Sequence, residues 1–266
     1  MTNISTASWA SGATYEPYIG RWSRPVARAF VEWLDVPTNG VWADCGCGTG
    51  ALTETILAVA APQRVEASDR SPAFIEYARG HLQDPRAVFT VADATALPLE
   101  QNSVDVVVSG LVLNFITPPA AALAEMVRVT RPSGMIAAYV WDYAGQMQLI
   151  RRFWDAATSL DEDARALDEA VLFPICNPAA LESLFHDAGL RDVQTQAIDV
   201  PTPFHDFEDY WTPFLSGGAP APNYATGLTL VRRLLLRERL RNTLPTAPDG
   251  SIELIARAWA VRGRRS

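Results

Sequence analysis

The sequence predicts an α/β fold, a doubly wound, Rossmann-like sheet that is mostly parallel with helices on both faces. Three observations carry this. Short apolar runs alternate with helix-period segments from Val41 to Trp141. The first run ends in Asp44-Cys45-Gly46-Cys47-Gly48-Thr49-Gly50, three glycines at alternate positions that lead into a helical segment. The run Val104–Ser109 is apolar almost throughout, as a central parallel strand covered on both faces requires.

Residues 1–20 are polar and irregular. Arg24 to Leu34 reads as a helix, with Val26, Ala27, Phe30, Val31 and Leu34 on one side. Strands are expected at 41–45, 64–69, 87–92, 103–109 and 134–141, and helices at 50–60, 72–82 and 119–129. Ser71-Pro72 marks the second of these helices, with Ser as N-cap and Pro at the first helical position. Beyond Trp141 the alternation lapses. Helices are expected at 146–158 and 163–172, then one opened by Asn177-Pro178, striped by Leu181, Leu184, Phe185 and Ala188, and closed by Gly189. A strand over 192–200, a linker rich in proline and aromatics over 201–224, an amphipathic helix over 226–241 and a last strand over 251–261 complete seven strands. Ligand crevices of such sheets lie outside the carboxyl ends of the strands. The expected organisation is therefore one domain over 1–266. Its core is 36–141, residues 1–35 form an N-terminal segment, and 142–177 and 201–249 are helical insertions over the carboxyl edge.

Composition narrows the function. The 266 residues are 48% apolar, ample for a core, and no apolar run approaches the ~18 residues of a membrane span. No basic region followed by an apolar stretch opens the chain, so a cytoplasmic location is expected. A net charge of −8 argues against nucleic acid as a partner of the whole chain. All 22 basic residues are Arg. Without lysine there is no Walker-type phosphate loop, no Schiff-base chemistry and no pyridoxal phosphate anchor. Cys45, Cys47 and Cys176 form neither a disulfide framework nor a metal-binding spacing, so no metal is expected.

The glycines demand close approach of backbone to a ligand, because only Gly turns so tightly without a Cβ in the way. Two ligands satisfy the pattern. Gly46-Cys47-Gly48-Thr49-Gly50-Ala51 fits the G-x-G-x-x-A dinucleotide fingerprint, and Asp69, at the end of the second strand, suits a ribose hydroxyl. Asp44 separates the readings. A carboxylate two residues before the first glycine repels a pyrophosphate and attracts an ammonium, such as that of S-adenosylmethionine.

At these residues the chain resembles class I S-adenosylmethionine-dependent methyltransferases, in particular the group of ubiquinone- and menaquinone-biosynthesis type. Asp44 to Gly50 is similar to their first motif, Asp69 to the acid ending the second strand, and Val91 to Pro98 to the adenine-contacting motif. Ser103–Ser109 is similar to their fourth strand, and Leu123–Gly134 to the helix and turn before the fifth. The resemblance covers about residues 36–141. It implies a seven-stranded sheet with an antiparallel last strand and S-adenosyl-L-methionine as cofactor. It also implies a site made of Asp44, Gly46, Gly48, Asp69, Arg70, Asp93, Ala94 and Ser109, with Asp93 on the adenine amino group. The segment Tyr15–Arg24 resembles N-terminal segments that fold over the cofactor in this group. By that resemblance Tyr18 covers the cofactor, and Arg21 or Arg24 pairs with its carboxylate.

Methyl transfer is an in-line displacement that depends on alignment in a dry site, and it needs a base only where the acceptor is protonated. Of the three histidines, His205 is the one expected at the carboxyl edge and is the candidate base. Asp142 and Tyr143 are expected to line the acceptor site. Phe204, Phe207, Tyr210, Trp211, Phe214 and Tyr224 suggest a small apolar or aromatic acceptor, or simply pack the insertion. Leu228, Val231, Leu234 and Leu235 are expected to form the packed face of helix 226–241, with its arginines solvated or resting on an anionic membrane. The other readings of the whole chain are an NAD(P)-binding oxidoreductase and a methyltransferase-like fold that binds a partner without catalysis.

Overall fold

Alternating apolar strands can bury both faces only if helices cover them, and the chain folds accordingly. The structure, a computed structural model, describes residues 19–266. Its strands are β1 (Val41–Cys45), β2 (Arg64–Asp69), β3 (Ala87–Val91), β4 (Val104–Gly110), β5 (Thr130–Trp141), β6 (Arg191–Phe204) and β7 (Ile252–Arg264). They form one sheet in the order β3-β2-β1-β4-β5-β7-β6. β1 to β4 pair in parallel, with Asp44 opposite Ala67 on β2 and Val108 on β4. β7 runs antiparallel to the other six strands. The Ser133 N–H donates to the Arg265 carbonyl (3.0 Å) and the Asp142 N–H to the Arg257 carbonyl (2.9 Å), so the partners on β5 and β7 run in opposite senses. Among the described residues no helix is long and apolar enough to cross a membrane.

The chain divides into two compact units. The first holds Ser23–Val140, Asn177–Ile198 and Ala258–Ser266; the second holds the described part of Met1–Trp22, with Trp141–Cys176 and Asp199–Arg257. In the first unit lie α1 (from Ser23 to its end; the helix spans Arg21–Leu34), α2 (Ala51–Val59), α3 (Pro72–His81), α4 (Pro119–Val129) and α7 (Pro178–Asp187). The face expected on α1 is buried, and Phe30 meets Tyr139 at 4.6 Å between ring centroids. Arg262 donates to the carbonyls of Trp33 and Leu34 and so satisfies the end of α1. Ser71 caps α3 by accepting from the Phe74 N–H, and Asn177 caps α7 by accepting from the Ala180 N–H.

The second unit is built around rings. It contains α5 (Gln148–Leu160), α6 (Glu169–Leu172), α8 (Phe207–Trp211), α9 (Pro220–Gly227) and α10 (Leu230–Thr243). Phe204, Phe207, Tyr210, Trp211 and Phe214 are all buried, and Phe153 stacks on Phe214 at 4.5 Å. These rings are the unit's own core. Asp142 and Tyr143 are buried as well; Asp142 accepts from the Gln146 N–H, which closes the turn after β5.

Glu169 is buried in this core. Trp154 Nε1 donates to one carboxylate oxygen, and the Ala221 N–H donates to the other at 3.3 Å. Burial pushes the carboxyl up to about 7 despite both bonds. Glu169→Ala is expected to lower stability by about 2–4 kcal/mol in chemical denaturation, because two buried donors lose their acceptor. Glu169→Gln keeps an acceptor oxygen and is expected to cost less than half of that.

Four elements differ from the sequence expectation. The linker expected over 201–224 instead holds the end of β6, α8, a 3-10 turn over Thr212–Leu215 and most of α9, and Asp206 caps α8 by accepting from the Asp209 N–H. The helix expected at 163–172 is a 3-10 segment over Glu162–Leu167 followed by the short α6, because Asp161 and Asp168 cap separate turns. β5 begins at Thr130 rather than 134, since Thr130 pairs with Val104 across an irregularity in the ladder. The helix expected at 226–241 is two helices, α9 and α10, with Thr229 capping the second. Its faces are also reversed. Val231, Leu234 and Leu235 are exposed, whereas Leu236 and Leu240 are buried. Arg233 donates to the carbonyls of Ala225, Thr226 and Leu228, and Arg237 and Arg241 lie over the Phe207 ring and pair with Glu208. Side-chain hydrogen bonds and cation–π contacts of the arginines thus outweigh burial of the leucines.

Candidate functional site

The candidate site lies wholly in the first unit, at the carboxyl ends of β1, β2 and β3. β1 is a central strand, and its inward alternation places Asp44 where only 1% of its surface is exposed. The glycine loop turns at once. Gly46 and Cys47 both donate to the Ser68 carbonyl on β2, at 2.7 and 2.9 Å. Gly46, Gly48 and Gly50 all have positive φ, of 81°, 52° and 90°. The first two are glycine for different reasons. A Cβ on Gly46 would lie 2.6 Å from Val112, whereas a Cβ on Gly48 would meet nothing within 4 Å. One glycine permits packing beneath the loop, and the other leaves space above it.

Each of three acids has a different environment. Asp44 Oδ2 accepts from the Thr53 hydroxyl at 2.6 Å, and its Oδ1 is buried without a hydrogen-bond partner. Burial is the main cause that pushes this carboxyl up to about 7, and the nearby Asp69 adds to it. Asp69, the last residue of β2, accepts from the Gly48 N–H (3.0 Å) on one oxygen and the Ser71 N–H (2.8 Å) on the other. Burial raises its pKa as well. Asp93 is exposed beyond β3, and the Thr95 N–H and hydroxyl, at 2.8 and 2.7 Å, hold its carboxyl below the usual range. Arg70 is exposed, and its charge favours the ionised forms of both Asp69 and Asp93. Ala94 is half-buried beside Asp93.

The remaining residues singled out from the sequence fall as follows. Ser109, at the end of β4, is buried and donates its hydroxyl to the Cys45 carbonyl at 2.8 Å, which ties β4 to the root of the loop. Arg24 is exposed and donates to Glu54 at 3.1 Å. Tyr18 lies outside the described residues. His205 belongs to the second unit; its side chain is exposed and its backbone N–H donates to Asp209 at 2.9 Å. Sequence reasoning missed Thr53 and Val112. A hydroxyl in the first turn of the helix after the loop was the available signal for Thr53. No local signal marks Val112, which reaches Gly46 only in the fold. Among the described residues no group of His, Cys, Asp and Glu could hold a metal ion.

The donor set fits a cationic, nucleoside-bearing ligand. Asp44 Oδ1 is an unsatisfied acceptor in a dry position, Gly48 leaves room in the loop that follows, and Asp69 and Asp93 offer carboxylate oxygens further along the sheet edge. An anion placed against Asp44 would be repelled.

Comparison with known proteins agrees with this geometry. Residues 43–138 match the family described as a methyltransferase domain. A malonyl-[acyl-carrier protein] O-methyltransferase of Hahella chejuensis is 39% identical over 135 residues, 51% of this chain and 48% of that protein. A demethylmenaquinone methyltransferase of Clavibacter sepedonicus is 34% identical over 113 residues, 42% of this chain and 45% of that protein. The chain thus spans about half the length of the curated relatives it matches. The fold is shared with a phosphoethanolamine N-methyltransferase of Haemonchus contortus solved in complex with S-adenosyl-L-methionine. The TM-score is 0.56 at 15% identity, over 90% of this chain and 52% of that one.

Proposed function

We propose, from the premise that residues 43–138 form a class I S-adenosylmethionine-dependent methyltransferase domain, that the protein transfers a methyl group to a small molecule with an apolar or aromatic body. The observation that carries this reading is the buried, unpartnered Oδ1 of Asp44 at the end of β1, ahead of a loop in which Gly48 leaves open space. S-adenosylmethionine, when bound, supplies an electrophilic methyl on a sulfonium. The chain supplies orientation. Asp44 accepts from the ammonium of the methionine part, Asp69 from ribose hydroxyls, and Asp93 from the adenine amino group. Arg70 balances the charge of Asp69 and Asp93. Ala94 borders the adenine, and Gly46 and Gly48 let the backbone come close. Ser109 holds the Cys45 carbonyl and thereby the root of the loop. Tyr18 and Arg24 belong to this reading as residues of a segment that covers the cofactor.

The second unit carries acceptor recognition in this reading. Its buried rings pack on one another and hold the unit together, and holding the acceptor in place supplies much of the catalysis by orientation. The three cysteines are free and buried, and a cytoplasmic location is part of the reading.

Calorimetric titration with S-adenosylhomocysteine and with NADH tests the assignment. Binding of the first and not the second is expected. The reverse would replace the reading with a dinucleotide oxidoreductase, and cofactor binding with no transfer to any metabolite would leave a binding protein. His205 is the residue proposed to take the proton from a hydroxyl acceptor. His205→Ala is then expected to lower kcat at least tenfold with a hydroxyl acceptor, and to leave transfer to an already ionised acceptor within about twofold. Equal effects on both would remove His205 from proton transfer.

A further inference from the structure

The second unit contains a polar cluster that its packing leaves unsatisfied. Arg21 opens α1, and its Nη1 donates to Asp209 at 2.9 Å. Asp209 is itself held through its other oxygen by the His205 N–H at 2.9 Å. The guanidinium lies over two rings, 4.5 Å from the centroid of Trp22 and 4.7 Å from that of Phe204. One ion pair and two ring contacts thus fix its position. Yet its Nε and Nη2 are shut off from solvent and have no hydrogen-bond partner. These two nitrogens carry the parallel N–H bonds of one guanidinium edge, the edge that binds a carboxylate with two bonds. The Trp22 indole N–H and the Thr202 hydroxyl are buried and unpartnered too, and Thr202 precedes Phe204 on the same face of β6. Among the described residues of the second unit, every buried side-chain nitrogen or oxygen without a partner belongs to Arg21, Trp22 or Thr202. Leaving such donors empty costs stability, and a fold that fixes one so firmly has a use for it.

We propose that the Arg21 edge is a carboxylate-binding site and that the methyl acceptor is an apolar or aromatic acid whose carboxylate it holds. The proposal rests on the methyltransferase reading for the word acceptor, and on the second unit alone for the site. A singly charged carboxylate suits it better than a phosphate dianion, because Asp209 already neutralises Arg21. The rings of Trp22 and Phe204 beside the edge exclude water and favour an apolar body on the acid.

The test is an NMR titration of the protein, free and saturated with S-adenosylhomocysteine, against phenylacetate, indole-3-acetate and octanoate, each with its primary amide. At least one acid is expected to bind tenfold or more tightly than its amide. Arg21→Lys keeps the charge and loses the flat edge, and is expected to weaken that acid at least fivefold while S-adenosylhomocysteine affinity stays within twofold. Arg21→Gln is expected to abolish the preference for acid over amide. Melting temperatures of both variants report whether they are folded, and Asp209→Asn, which loosens the guanidinium without removing it, is expected to give an intermediate loss. No acid preferred over its amide, or a preference unchanged in Arg21→Lys, would overturn the proposal. Weakening of S-adenosylhomocysteine tenfold in Arg21→Lys would assign the edge to the cofactor's carboxylate and overturn it as well. Failure of the unaltered protein to bind S-adenosylhomocysteine would instead remove the methyltransferase reading, and the acid-to-amide ratio would still report on the site.

Discussion

Asp44→Asn is expected to weaken S-adenosylhomocysteine binding about 10- to 100-fold and, in the same protein, to raise the stability of the ligand-free state. The first effect follows from the unpartnered Oδ1. A charge-assisted bond from the ligand's ammonium is worth about 1.5–3 kcal/mol, and an amide in its place accepts only as a neutral group. The second follows from desolvation. Burial moves the Asp44 carboxyl from 3.8 to about 7. The native state therefore keeps a proton that the unfolded chain releases near pH 4, and stability falls as pH climbs from about 4 to about 7. Asparagine is neutral throughout and keeps an acceptor for Thr53. At pH 8 it is expected to be more stable than the parent by about 1–4 kcal/mol, at roughly 1.4 kcal/mol for each unit of raised pKa. Calorimetry across pH separates the contributions. Affinity in the parent should fall as pH drops below about 7, by at most tenfold per unit, because the ammonium then competes with a proton. In Asp44→Asn that slope should vanish. A variant with the same affinity and slope as the parent would remove Asp44 from the cofactor site.

The glycine loop offers the second large effect, in the form of a contrast. Gly46→Ala is expected to destabilise the fold by about 2–4 kcal/mol, because its Cβ would sit 2.6 Å from Val112 in a backbone with φ of 81°. Adding Val112→Ala should recover part of the lost melting temperature, since it removes the atoms that clash. Gly48→Ala meets no protein atom within 4 Å. It is expected to cost only about 1 kcal/mol of left-handed backbone strain and to leave the fold intact. Its methyl group would instead occupy the space above the loop, and S-adenosylhomocysteine binding is expected to fall at least tenfold. Unchanged binding in Gly48→Ala would place the ligand elsewhere than over that glycine.

The first unit was largely legible in advance, and the reason is local. The end of β1, the glycine turn and the cap of α3 are each specified within a few residues by strand apolarity, positive φ and an N-cap side chain. Asp44, Asp69 and Asp93 follow, because a parallel sheet brings the carboxyl ends of adjacent strands together whatever the side chains do. The second unit was less legible. Helix period alone assigned Val231, Leu234 and Leu235 to a packed face, and they are exposed. The arginines on the opposite face found the carbonyls of the preceding turn, and a glutamate and the Phe207 ring far outside that segment, partners that helix period does not reveal. The rings of 204–214 announced an apolar environment and left open whether they meet an acceptor or pack the insertion; in the structure they pack on one another.

The sequence by itself determined the α/β class, the strand-turn-helix that shapes the loop and the three carboxylates along the sheet edge. Backbone sterics and strand alternation act over short spans and can be read in order. Only the tertiary structure decided which carboxylate oxygen is left without a partner, why Gly46 and Gly48 are both glycine, and that the Arg21 edge is left unpartnered where its guanidinium lies over two rings. These depend on what distant residues fail to supply. An unmet hydrogen bond is a property of the whole packed interior, and it exists only once Thr53, Val112, Phe204 and Asp209 have taken their places.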